Sequence, residues 1–163
     1  MDTLTNIADI SLFSTRSPAN AGAVLELKDV NGNTSEHTLT ILGTDSDAFQ
    51  EAQFNSKQAI IAMMKDDKEA TFKEATTMAR ELVASLVSGW TFVDADGKPL
   101  PCTKANVVAF LKEAPQIQEQ IDSVATDRKL FTTGKPKTSV RPSKKNSPST
   151  KSKLAQTKQH VKS

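Results

Sequence analysis

The composition of the chain changes sharply after Phe131, and this change limits what can fold. All 19 acidic residues lie in residues 1–131 together with 12 Lys and Arg, so this part carries a net charge of −7. Residues 132–163 hold nine Lys and Arg and no acid, and are otherwise rich in Ser, Thr and Pro. Their few apolar side chains cannot offset the roughly 1–2 kcal/mol per residue that backbone ordering costs. We therefore predict a disordered basic tail over 132–163.

The rest of the composition excludes several classes of protein. A single Cys among 163 residues rules out an intramolecular disulfide framework, and two distant His residues add no metal-ligand cluster. No apolar run approaches the roughly 18 residues of a membrane span, and the first residues show no basic region followed by a long apolar run. We expect a cytoplasmic protein without a membrane partner, a cofactor, a metal or catalytic residues.

Alternating apolar residues predict a β-hairpin over 23–42. The segments 23–29 and 36–42 both alternate, and Asn31-Gly32 between them is a hairpin signal because both residues tolerate positive φ. Residues 1–22 show no sustained period. We predict that they form a flexible N-terminal arm, so that the folded domain covers 23–131.

After the hairpin the apolar spacing changes to three and four, which is typical of amphipathic helices. Thr44 or Asp45 can cap the first helix, Gly89 suits a left-handed stop after the second, and Thr103 can cap the third. The predicted helices span about 46–65, 67–88, 104–113 and 115–129. The apolar positions of the first are Phe49, Phe54, Ile60, Ile61 and Met64. The predicted fold class is α+β, with a small antiparallel sheet packed with about four helices.

The segment 87–106 collects rare residues that could form a site. Asp94 and Asp96 resemble the start of an EF-hand loop. However, Gly97 directly follows Asp96, Lys98 occupies a position that needs an oxygen ligand, and Ala105 stands where Glu closes the loop. A tight turn at Asp96-Gly97 is the better interpretation. Cys102 has no base near it in the sequence and is expected to be a buried thiol.

Aromatic and methionine side chains are the candidates for partner binding. Trp90 and Phe92 follow the predicted helix stop, so they either cover the core or anchor a partner, since aromatic residues are enriched where interfaces are buried. Met63 and Met64 offer an adaptable apolar surface if they face outward, and otherwise belong to the core.

The basic tail is the candidate for electrostatic contacts. It lacks aromatic residues for base stacking, so attraction to an acidic partner or to the acidic domain is favoured over nucleic-acid binding. The cations expected to make these contacts are Lys135, Lys137, Arg141, Lys144, Lys145, Lys151 and Lys153.

A series of short motifs runs through residues 23–131. After the hairpin, Leu42-Gly-Thr-Asp-Ser-Asp47 opens a helix, and Val87-Ser-Gly-Trp90 precedes Asp96-Gly-Lys-Pro-Leu-Pro-Cys-Thr103 and Asn106. A last helix from Gln116 to Ile121 leads to Asp127-Arg128 and Phe131. In this order the motifs resemble those of the tail assembly chaperones of long-tailed bacteriophages.

This resemblance implies an assembly factor rather than an enzyme. Such chaperones bind the tape measure protein and help to recruit tail tube subunits in the host cytoplasm, and they are not expected in the mature virion. Self-association is compatible with this role. The alternatives are a virion structural subunit (tail tube, head–tail joining or decoration protein) and, less favoured, a nucleic-acid-binding protein with a basic tail.

Overall fold

The computed structural model describes residues 10–132, which form a three-stranded antiparallel sheet packed with helices. The predicted α+β class is confirmed. In chain order the elements are α1 (Arg16–Ala21), β1 (Ala23–Lys28), β2 (Thr34–Ile41), α2 (Asp47–Lys65), α3 (Phe72–Ala84), β3 (Val87–Trp90), α4 (Lys104–Glu113) and α5 (Pro115–Ala125). Short 3₁₀ turns occupy Ile10–Leu12 and Arg128–Phe131. The strand order is β1-β2-β3.

The predicted hairpin is present, but its turn is wider than a two-residue turn. Lys28 pairs with Thr34, which leaves a five-residue loop. Within it Gly32 has φ +82°, whereas Asn31 stays outside the left-handed region. The Asp29 carboxylate accepts the backbone N–H groups of Asn31 and Asn33 at 2.8 and 2.9 Å. The hydrogen bond from the Asn33 backbone N–H is the main cause that holds the pKa of Asp29 below its ordinary value.

The helix predicted over 67–88 is shorter, and its last turn is replaced by a strand. Helix α3 begins after Thr71, which forms a capping box with Glu74, and ends at Ala84. The following residues pair with β2, with Val87 opposite Ile41. The stop predicted at Gly89 is therefore wrong, because Gly89 lies in β3 without a positive φ. The apolar residues 86 and 87 fit both a helical and a strand period. The free edge of β2 offers pairing to a third strand, and this favours the strand.

The core lies between one face of the sheet and helices α3, α4 and α5. Its fully buried large residues include Leu25, Leu39, Ile41, Leu86, Leu111 and Ile121. Helix α5 ends at Ala125 rather than near 129, because Asp127 is extended and accepts the Lys129 N–H at the start of a 3₁₀ turn. That turn buries Phe131, so the described core extends to the predicted domain end.

Part of the predicted N-terminal arm belongs to the fold. Pro18 and Ala19 of α1 are buried, and the Ala19 carbonyl accepts the Gly43 N–H at 3.0 Å. The Asn20 side chain accepts the Asp47 N–H at 2.8 Å and so caps α2, whereas Ser46 at the N-cap position makes no side-chain cap. The caps predicted at Thr44 or Asp45 are wrong, because the capping group comes from α1. Residues 1–9 of the predicted arm and 133–163 of the predicted tail lie outside the described residues.

Candidate functional site

Four rings from three parts of the chain meet on one side of the domain. Phe92 contacts Trp90, Phe110 and His37, with ring centroids 5.3, 4.9 and 4.7 Å apart. Trp90 and Phe110 meet edge to face at 6.1 Å. We call the surface formed by Trp90, Phe92 and Phe110, with His37 and Val93 beside them, the aromatic groove. The rings of Trp90, Phe92 and Phe110 are half-buried and pack against the hydrophobic core.

The loop after β3 fixes the aromatic groove through hydrogen bonds. The Trp90 indole N–H donates to the Leu100 carbonyl at 2.7 Å, and the Leu100 N–H donates to the Phe92 carbonyl at 2.9 Å. A buried indole needs such an acceptor, so this bond sets the orientation of Trp90. The indole is thus held in one orientation by the fold itself.

The Asp94 loop supports the groove as a turn, as predicted. The Asp94 carboxylate accepts the backbone N–H groups of Asp96 and Lys98, both at 2.9 Å. Gly97 has φ +77°, and Val93 forms a bridge with Pro99. Both N–H groups donate to Oδ1 of Asp94, so this side chain stabilises the turn. Among residues 10–132, no group of three His, Cys, Asp or Glu side chains is arranged to hold a metal ion.

Two shallow depressions flank the shared pair Phe92 and Phe110. One encloses about 420 Å³, and the other about 280 Å³. The first is lined by Trp90, Phe92, Val93, Leu100, Asn106, Ala109, Phe110 and Glu113. Val93 on its rim is 52% exposed. Such a shallow apolar surface suits side chains of another protein better than an enclosed small molecule.

Cys102 lies in the loop before α4 and is half-buried, whereas full burial was expected. Burial raises the pKa of its thiol above the ordinary value. Since the thiolate is the nucleophile, this environment weakens rather than activates the sulfur.

The structure does not bring the two pairs of predicted partner-binding residues together. Trp90 and Phe92 belong to the aromatic groove, while Met63 lines a separate depression between α2 and α3, next to Thr71 and Met78. Met63 is half-buried, and Met64 is 71% exposed. The sequence interpretation missed Phe110 and His37. Phe110 stands in the apolar run Val107 to Leu111, which is wider than one helix face, and that excess was the available signal.

The second apolar surface is the side of α2 that points away from α3. The apolar stripe of α2 was expected to contribute to a core, but α2 has no buried residue and only Phe49 packs against the core. Small residues of α2 instead line the contact with α3, namely Ala52, Asn55, Ser56 and Ala59. We call the exposed set the outer α2 face; it consists of Phe54, Ile60, Ile61 and Met64, which are 60%, 46%, 45% and 71% exposed.

Comparison with known sequences identifies the chain as a phage-derived protein. The matching family model is described as YdaY prophage protein and covers residues 44–140, from just before α2 to beyond the last 3₁₀ turn. The chain belongs to this family. The match includes Trp90, Phe92 and Phe110 of the aromatic groove and the outer α2 face, while the β1–β2 hairpin lies before it. No curated protein and no solved structure matches the chain significantly.

Within residues 10–132, no helix has both the length and the apolar character that a bilayer span needs. The tail cations from Lys135 to Lys153 lie outside the described residues.

Proposed function

We propose that this protein is a non-enzymatic phage tail assembly chaperone. It binds the tape measure protein in the host cytoplasm, helps to recruit tail tube subunits, and is absent from the mature virion. Membership in a prophage protein family supports the phage context. The motif resemblance described above supports the finer role, since its Val87–Trp90 and Asp96–Thr103 segments form β3 and the loop that supports the groove.

The aromatic groove is the single observation that carries this proposal. A preformed apolar surface with an oriented Trp is the kind of surface that receives the apolar face of an amphipathic helix. A tape measure protein offers such faces repeatedly along its length. Weak contacts to many copies of the chaperone would then hold the partner in solution, and each contact would be released during assembly.

The basic tail has a supporting role in this proposal. Its nine cations attract an acidic partner over a distance that shortens as salt rises. Removal of residues 132–163 should therefore weaken binding at low salt and have less effect at high salt. A tail that instead bound DNA would give a steep salt dependence of DNA affinity, and the same truncation would abolish it.

Co-expression with the tape measure protein tests the proposal. The wild-type chain should keep the tape measure protein soluble and co-purify with it. Val93→Glu places a charge on the rim of the groove and should abolish both effects. Leu12→Glu is the matched control, because Leu12 is 76% exposed and does not line the groove. Absence of rescue by the wild-type chain, or equal rescue by both variants, would contradict the proposal.

Two further measurements separate the alternatives. Trp90 is the only Trp, so its emission should shift when a Trp-free helical segment of the partner binds. Mass spectrometry of purified particles distinguishes a chaperone from a virion subunit. Detection of the protein at stoichiometric amounts in mature particles would favour the structural role and exclude the chaperone role.

A further inference from the structure

The outer α2 face has the spacing of a helix-pairing seam. Its residues Phe54, Ile61 and Met64, together with Lys57, stand in the order 54, 57, 61 and 64, at intervals of three, four and three residues. This spacing corresponds to alternating a and d positions of a short heptad pattern. Ile60 lies at the edge of the same stripe and is 46% exposed. Within residues 10–132 no other element buries this seam.

The charges of α2 are divided along its length. Glu51 lies in the first half of the helix, and Lys57 and Lys65 lie in the second half. Asp47 is also in the first half but is already bonded to Arg16 and Asn20. A parallel copy would place equal charges side by side, whereas an antiparallel copy places the acidic half of each helix against the basic half of the other.

We propose that a second copy of this chain covers the outer α2 face, with the two α2 helices antiparallel about a two-fold axis. The proposed register places each a position of one helix opposite a d position of the other. Phe54 then meets Met64 of the second copy, and Ile60 meets its own equivalent near the two-fold axis. The aliphatic stem of Lys57 covers Ile61 of the second copy. Glu51 then stands opposite Lys65 of the second copy, and the pair occurs twice.

The size of the face sets the strength of the dimer. From the exposed fractions and a side-chain area of about 150–200 Å² each, the four apolar residues expose on the order of 400 Å². This is within the range of a functional surface patch, but is only about half of the roughly 800 Å² per partner in a standard stable interface. Flanking polar side chains supply the rest. The dimer should therefore dissociate on dilution, with a midpoint in the micromolar range.

This inference does not depend on the proposed function, because no other protein takes part. It would add to that function, since a dimer presents two aromatic grooves to one long partner and so raises the effective affinity.

Sedimentation analysis of the full chain from about 1 to about 300 µM tests the proposal. The average mass should rise from monomer towards dimer, and Ile61→Glu should remain monomeric throughout. Phe72→Glu is the control, because Phe72 is 85% exposed and lies outside α2. Ile61 is itself exposed, so helical content and melting temperature should stay unchanged in the variant. A monomer at all concentrations, or dimerisation of Ile61→Glu, would overturn the proposal.

Charge reversal tests the antiparallel register. Glu51→Lys alone and Lys65→Glu alone each create two repulsive pairs and should each shift the midpoint at least tenfold upwards. An equimolar mixture of these two single variants should dimerise again, because each mixed dimer has two complementary pairs. The variant that combines both reversals should also dimerise as wild type does. If the mixture dimerises no more strongly than either single variant alone, this register is wrong.

A cysteine at the axis gives an independent geometric test. In a Cys102→Ser background, Ile60→Cys should form a disulfide-linked dimer on mild oxidation, because residue 60 meets its own equivalent. Ala52→Cys faces α3 and should not cross-link. Equal cross-linking of both positions would contradict the proposed axis.

Discussion

The contact between Gly43 and α1 leaves no room for a larger side chain, so Gly43→Ala is expected to be strongly destabilising. A Cβ atom at residue 43 would lie 2.9 Å from the Ala19 Cβ and 3.2 Å from both the Ala19 Cα and the Phe131 Cδ2. Two of these atoms belong to a short helix whose carbonyl accepts the Gly43 N–H, so the neighbours cannot move without loss of that bond. Gly43 has no positive φ, so the effect is one of space alone.

The expected magnitude follows from the closeness of these contacts. Overpacking of a buried site costs about 1–3 kcal/mol. For a domain of this size, each kcal/mol lowers the melting temperature by about 3–6 °C. Gly89→Ala is the matched control, because its Cβ would lie 3.6 Å from the nearest atom, the Thr40 Oγ1. Gly89→Ala should be neutral or stabilising by up to about 1 kcal/mol, since it restricts the unfolded chain.

Urea denaturation followed by circular dichroism measures both effects, and a double-mutant cycle identifies the contact. Ala19→Gly removes the nearest clashing atom, so in the Gly43→Ala background it should recover about 1 kcal/mol. Alone, it should cost about 0.5–1 kcal/mol through lower helix propensity. If Gly43→Ala is as well tolerated as Gly89→Ala, α1 does not pack here, and residues 10–22 would behave as the flexible arm that the sequence indicates.

Three further predictions concern other parts of the fold. The Gln120 side chain hydrogen-bonds both the N–H and the C=O of Lys28 at the edge of β1, at 3.0 and 3.2 Å. Gln120→Ala should lower the free energy of unfolding, measured by urea denaturation, by about 1–2 kcal/mol. An unchanged denaturation midpoint would contradict this prediction. The hydrogen bond from Arg128 lowers the pKa of Asp45, so the ion pair stabilises the fold above about pH 4, and this stabilisation is lost as the pH falls through the lowered folded pKa. Asp45→Asn should therefore lose less stability than wild type between about pH 5 and pH 2.5. Parallel curves of stability against pH for the two proteins would refute this prediction. Burial raises the pKa of the Cys102 thiol, so alkylation at about pH 8 should be slower in the folded chain than in urea, and equal rates would exclude this burial effect.

Local signals predicted the parts of the fold that local interactions decide. The Asn31-Gly32 turn, the Thr103 cap of α4 and the Asp94 turn each depend on residues a few positions apart. Strand β3 and the cap of α2 depend on groups far apart in the chain: β3 pairs with β2, and Asn20 caps Asp47 from 27 residues away. Periodicity contains no information about such partners, so the local pattern predicts a helix stop at Gly89 where the fold has a strand.

The candidate site shows the same division. Trp90 and Phe92 attract attention as rare aromatic residues in a turn-rich segment, and the structure places them in one cluster. Phe110 and His37 join them only because α4 and β2 pack on either side of the loop after β3. The apolar run from Val107 to Leu111 is wider than one helix face, but the sequence does not indicate which of its residues leaves the core; packing buries Val107 and Leu111 and leaves Phe110 half-buried.

Helix α2 shows why amphipathicity predicts a helix but not its partner. The period of Phe54, Ile61 and Met64 is the same whether the stripe packs on its own domain or on another molecule. What distinguishes the two cases is the opposite side of the helix. Small residues such as Ala52 and Ala59 allow α3 to approach there, so the larger side chains remain outward. Exposed apolar area on this scale favours association, and the division of charge along α2 makes an antiparallel copy of the same helix the best complement.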